Sequence, residues 1–256
     1  MSKNLADVII EEFERFDLNQ LYSWNIPERD GIKCEGKSSF EKNVSLKNKI
    51  CERMHNELDE EYLKDAYWII KKWGGIKNFK ENSNDHKQKL LDLKNKIDAK
   101  ADIEVVFEGK YDIIASYSKV AAFYQPDKYA VFDARVAFTL RWLIYDNNLD
   151  TKYFRQLPSR NKKINGCIEK LKNKMPSNEY PKNEEYAEYC KLLKSVAKKM
   201  GKKIYEVEMF LFSIAAPKRN EKKEGVKYIT DRVVNETCII QYKKTALERL
   251  NFEGHW

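Results

Sequence analysis

The chain has 256 residues, 48 Lys+Arg against 40 Asp+Glu, and a formal net charge of +8. Apolar residues make up 42% and aromatics 12%, which is ample for a buried core and too much for a disordered chain. No apolar run approaches the roughly 18 residues of a membrane span, and Met1–Phe16 carries acids too early for a secretory leader.

Gly (9) and Pro (6) are scarce, so the composition favours long helices over many short strands. In chain order, Leu5–Phe16 repeats apolar residues at helical spacing (Leu5, Val8, Ile9, Phe13). Tyr22–Ser38, with Pro27 and Gly31, is a connection. Helices are predicted over Phe40–Leu58 and Glu60–Lys72, the second stopping at Gly74-Gly75. Asn78–Ala101 is a charged helix with one apolar stripe of Leu90, Leu93 and Ile97, led in by Asn82, Ser83 and Asn84. Asp102–Phe107 is the one place where a short strand competes. Helices follow at Tyr111–Ala115, Ser118–Tyr124, Ala134–Tyr145, Lys162–Lys174, Glu184–Met200 and Ile204–Ala216. A last one runs from Thr230 to Leu250, with Thr230 or Asp231 as its cap.

The cysteines Cys34, Cys51, Cys167, Cys190 and Cys238 form no C-x-x-C pair, which points to reduced thiols in a cytoplasm. His55, His86 and His255 stand apart and form no zinc motif, so no metal site is expected. The phosphate-binding loop, the dinucleotide fingerprint and the serine elbow are all missing, and no cofactor is expected. Lysine-rich stretches at Lys77–Lys100, Lys162–Lys174, Lys194–Lys203 and Lys218–Lys227 suit a polyanion, although acids are interspersed and a solvated surface explains them equally.

The least polar segment is Ile113–Leu143. Ser118 is placed to cap a helix beginning at Lys119, Pro126 closes that helix, and Asp133 is placed to cap the next. A lysine at a helix N-terminus among Tyr117, Val120, Phe123 and Tyr124 feels a positive helix end and partial desolvation. Both lower its pKa. An amine beside a carboxylate is the pair needed to attack an electrophilic carbon. The plainer alternative is a packed helical hairpin whose lysine only snorkels to solvent.

The string Ser118-Lys119-Val120-Ala121, with Asp133 fourteen residues after the lysine in Phe132-Asp133-Ala134-Arg135-Val136, resembles the active-site stretch of helix-hairpin-helix DNA glycosylases. It is most similar to the 8-oxoguanine branch. The resemblance covers Ile113–Leu143 and implies an all-α fold with a hairpin, two lobes around a cleft, and a base extruded from duplex DNA. By position it implies that Lys119 attacks C1′ to form a Schiff base, assisted by Asp133, with strand cleavage by β-elimination and no metal or cofactor. Two features depart from the family: Ala115-Ser116-Tyr117-Ser118 holds none of the usual hairpin glycines, and the lysine-to-aspartate spacing is short. Ser116 and Ser118 are then the candidate phosphate contacts.

Further candidates for DNA contact are Trp73 as a stacking platform or wedge, Arg135 on a phosphate or on Asp133, and the basic turn Arg160, Lys162 and Lys163. Glu206 and Glu208 lie in a largely apolar helix and read as structural. We therefore expect residues 1–256 to form a single all-helical, monomeric glycosylase-like domain, cytoplasmic or nucleoid-associated. It would act on a damaged or modified base in duplex DNA, in repair or in defence against phage. The competing expectations are a non-catalytic helical nucleic-acid-binding module and a helical protein–protein adaptor.

Overall fold

The computed structural model describes residues 3–56, 58–81, 83–175, 178–216 and 228–235. The predicted helix beyond residue 235, the basic stretch Lys218–Lys227, Cys238 and His255 lie outside them.

Local chemistry sets most helix starts. Asn4 caps α1 (Leu5–Phe13) and Asp17 caps α2 (Leu18–Leu21), each accepting a backbone N–H two or three residues on. The helix expected over Leu5–Phe16 is α1, which ends at Phe13, and α2 lies beyond it. Helix α3 (Ser39–Asn56) buries Asn43, Leu46, Lys47, Ile50 and Met54, a helical stripe with a lysine in it. Helix α4 (Asp59–Trp68) runs into a π turn, Ile69–Trp73, in which Gly74 N–H donates to the Ile69 carbonyl at 2.7 Å. The turn stops at Gly74-Gly75, where Gly75 takes φ +67°. Helix α5 (Asn84–Asp98), capped by Ser83, buries Leu90, Leu93 and Ile97 as the stripe requires.

The centre departs from expectation. Asp102–Phe107 is not a strand but holds the short helix α6 (Ile103–Phe107). The two short helices expected over Tyr111–Tyr124 are one, α7 (Ile114–Tyr124), entered through a 3-10 turn, Tyr111–Ile113. The reversal between α6 and α7 turns on Gly109 at φ +70°, so the glycine lies upstream of Ala115–Ser118, which is helical. Ser118 is therefore no cap. Its Oγ accepts from Phe132 N–H at 3.1 Å and lies 3.4 Å from the Phe132 carbonyl, pinning the linker after α7.

Asp133 does cap α8 (Ala134–Asp146). Asn161 caps α9 (Lys162–Leu171), and α10 (Glu185–Met200) ends at Gly201 in the left-handed conformation, before α11 (Ile204–Ala215). Residues 229–235 form a further helical stretch, with Thr230 and Asp231 inside it and not at its cap. Arg232 holds this stretch to α1 by a bidentate pair with Glu12, at 2.7 and 2.9 Å.

Among the described residues there is no named strand, and no helix is long and apolar enough to cross a membrane. The protein is all-helical. Helices α3 and α5 and the π turn pack on α7, while α1, α9 and α11 pack on α8; α2 touches both α3 and α11. Helix α7 is buried on nearly every face, consistent with its apolar sequence all round. The α7–α8 linker thereby crosses the middle of one continuous apolar core.

Candidate active site

Lys119 lies in the middle of α7, only 4% exposed, with Nζ curled back onto the Ala115 carbonyl at 2.6 Å. The helix-end contribution expected from its sequence position does not operate. Burial does, and it holds the Lys119 ammonium below the usual lysine range, while the Asp133 and Glu208 charges partly restore it. The close approach of this side chain to the π turn depends on Gly74. A Cβ there would meet Lys119 Cδ at 2.6 Å and the Ile69 and Ile70 carbonyl oxygens at 2.9 Å.

Asp133 is extended (φ −126°, ψ −179°), and its Oδ1 accepts from Arg135 N–H at 2.9 Å and Val136 N–H at 3.2 Å. Its carboxylate and Lys119 line the same cavity without forming an ion pair. The cavity also takes in Tyr22, Trp24, Trp73, Gly74, Val131, Glu208 and Phe212. It measures ≈ 30 Å³, room for about one or two water molecules.

Two further charged residues line up beside it: Lys47, which the sequence did not single out, and Glu208, which it marked as structural. Lys47 of α3 and Glu208 of α11 are both buried, with Nζ and Oε2 3.6 Å apart. Neither atom has a hydrogen-bond partner. Lys47 Nζ lies over the rings of Phe123 (4.6 Å) and Trp73 (5.6 Å), a cation–π cradle. Burial pushes the Glu208 carboxyl up to about 7, against the opposing pull of Lys47, and pushes Lys47 down. Tyr22 is raised by burial and then by the Glu208 and Asp133 charges. The visible signal was Lys47 itself, a lysine on the apolar stripe of α3.

The DNA-contact candidates separate into four groups. Ser116 and Ser118 are buried inside α7, and Ser118 is committed to Phe132, so their hydroxyls do not face solvent as phosphate contacts. Trp73 is not an exposed platform. It is 6% exposed, packs edge-on against Phe123 at 4.8 Å, and donates from Nε1 to Asn43 Oδ1 at 3.0 Å. Asn43 in turn donates to the Trp24 carbonyl, and Trp24 Nε1 donates to the Trp73 carbonyl. Arg135 pairs with neither a phosphate-facing surface nor Asp133; its guanidinium donates to the Phe212 and Ala216 carbonyls and lies 4.4 Å from the Phe212 ring. Only Arg160, Lys162 and Lys163 are exposed. Arg160 Nη1 donates to the carbonyl of Gly75 at 3.0 Å, which fixes the basic turn next to Gly74, a wall residue of the Lys119 cavity.

No family model matches the chain, and neither a curated protein nor a solved structure matches it.

Proposed function

We propose that the protein is a DNA N-glycosylase with associated lyase activity, acting on a damaged or modified base through Lys119. The observation that carries this reading is the desolvated Lys119 amine in a small, largely apolar cavity shared with the Asp133 and Glu208 carboxylates. An amine shifted toward its neutral form is a nucleophile, and fixed carboxylates stabilise positive charge developing on a sugar. Attack of Lys119 Nζ on C1′ forms the C–N bond as the glycosidic bond breaks, and the base departs with a proton. Ring opening moves a proton from nitrogen to O4′ and leaves a protonated Schiff base, from which β-elimination cleaves the strand. Arg160, Lys162 and Lys163 supply phosphate contacts beside the cavity. Admitting a nucleotide requires the Tyr22–Trp24 wall to move, because the cavity has room only for about one or two water molecules.

A non-catalytic nucleic-acid-binding module is the second reading, favoured by that same small volume. Borohydride reduction during incubation with abasic and modified-base duplexes separates the two. An adduct with the wild-type chain that Lys119→Gln abolishes supports the glycosylase–lyase. Equal adducts from both proteins, or none from either, remove Lys119 as nucleophile. Salt-sensitive binding unaffected by Lys119→Gln, beyond one charge, then supports the module.

A further inference from the structure

The buried Lys47–Glu208 ion pair, whose facing Nζ and Oε2 atoms make no hydrogen bond, is the least explained feature of the core. A buried charge without a hydrogen bond is costly, and two of them 3.6 Å apart are retained only where the surroundings leave no better packing or where they serve the site. Glu208 projects from α11 into the Lys119 cavity. It faces Lys47 from α3, Lys119 from α7, Asp133 from the cap of α8, Tyr22 from the segment after α2, and Tyr189 from α10. Asp133 Oδ1 already accepts two backbone N–H groups, those of Arg135 and Val136. Glu208 Oε2 has no such donor. Of the two carboxylates on the cavity, Glu208 is the one with a buried oxygen that no hydrogen-bond donor occupies.

We infer that Glu208 is the proton acceptor for Lys119, reached directly or through a water molecule in the cavity, and that Lys47 is a positioning residue that holds the Glu208 carboxylate at the cavity wall. The inference rests on the reading of Lys119 as the nucleophile. In the proposed step Lys119 –NH₃⁺ gives one proton to the Glu208 carboxylate. The freed amine then displaces the base from C1′, and Glu208 passes the same proton to the departing base anion. Glu208 returns to the carboxylate and the positive charge stays on the nitrogen now bonded to C1′, so charge and protons balance. A carboxyl poised near neutrality suits both halves of the transfer.

Two measurements on the wild-type, Glu208→Gln and Lys47→Met chains test this. The first needs no DNA: reductive methylation of Lys119 by formaldehyde and cyanoborohydride, read by peptide mass spectrometry as a function of pH. The Glu208 charge favours the ammonium form of Lys119, so Glu208→Gln moves the methylation midpoint to lower pH; an unmoved midpoint overturns the coupling. The second is the rate of adduct formation on abasic duplex. Glu208→Gln lowers its pH-independent plateau by at least about tenfold, although more of its Lys119 is neutral. A plateau within about twofold of wild type overturns the acceptor role. Lys47→Met keeps the acceptor and moves the acid limb of the profile to higher pH, whereas an unmoved limb removes Lys47 as the positioning residue. If the wild-type chain forms no adduct, the glycosylase reading fails on its own, and the methylation midpoints alone decide whether Glu208 and Lys119 share a proton.

Discussion

A Cβ on Gly74 would fall 2.6 Å from Cδ of Lys119, so the end of the π turn and the buried lysine occupy space that only a glycine leaves open. Gly74 itself has an ordinary φ of −78°, and the requirement is steric. Gly74→Ala therefore displaces either the lysine or the turn. A misplacement of about 1 Å at a reacting group costs on the order of 10²-fold in rate. We expect that loss in the borohydride assay with the helical circular dichroism retained. Gly75→Ala is the control. Its φ of +67° is strained for alanine, but no atom lies within 4 Å of the added methyl group. It should lower stability by about 1–2 kcal/mol and leave the adduct in place. Equal adduct yields from Gly74→Ala and wild type would mean that the close approach does not govern Lys119.

The Lys47–Glu208 pair makes stability depend on pH in a definite direction. Because the folded state raises the Glu208 carboxyl from its ordinary 4.5 to about 7, it holds that proton more tightly than the unfolded chain does. Its contribution to stability is complete below pH 4.5 and is lost as pH rises through about 7. Lys47→Met removes the opposing charge and extends this loss to higher pH. Above neutrality it should cost about 3–5 kcal/mol, the usual effect of orphaning one member of a buried pair, and the cost should shrink in acid as Glu208 protonates. The double variant Lys47→Met/Glu208→Gln buries no charge at either position and should be neutral or up to about 1–4 kcal/mol more stable than wild type. Urea melts on both sides of neutrality measure this; a Lys47→Met deficit independent of pH would sink the assignment.

Legibility in the sequence followed the range of the interaction. The Asp133 cap was readable because capping needs only an acceptor and the next two or three N–H groups. Lys119 burial was readable because α7 is apolar all round. The start of α7 was misplaced because Ser118 is as good a cap on paper as any, and what claims its hydroxyl is Phe132, fourteen residues on. The Trp73 wall, the Arg135 carbonyl clasp and the Lys47–Glu208 pair depend on α3, the π turn and α11 meeting in space. Nothing local announces that meeting except one lysine on an apolar stripe.

Asp133 has two roles that a pair of substitutions separates. Asp133→Asn keeps an oxygen for the Arg135 and Val136 N–H groups, while Asp133→Ala loses the α8 cap and about 1 kcal/mol of stability. If the carboxylate charge assists Lys119, both variants lose the adduct although only the alanine lowers the melting temperature. Full adduct yield from Asp133→Asn would reduce Asp133 to a cap.

The last prediction concerns how the protein holds DNA. Ser118 lies wholly inside the core, so Ser118→Ala strands the Phe132 N–H and should cost about 1–3 kcal/mol of stability without altering the salt dependence of binding. The exposed turn should behave in the opposite way. Each alanine at Arg160, Lys162 or Lys163 that removes a phosphate contact flattens the plot of log K against log salt by about 0.9. Stability should scarcely change, because the side chains are solvated and the one bond lost, Arg160 to the Gly75 carbonyl, is at the surface. Binding titrations at several salt concentrations, set beside urea melts, give both quantities for each variant. A triple variant with an unchanged slope would place the phosphate contacts on another face of the molecule and detach this turn from the cavity it borders.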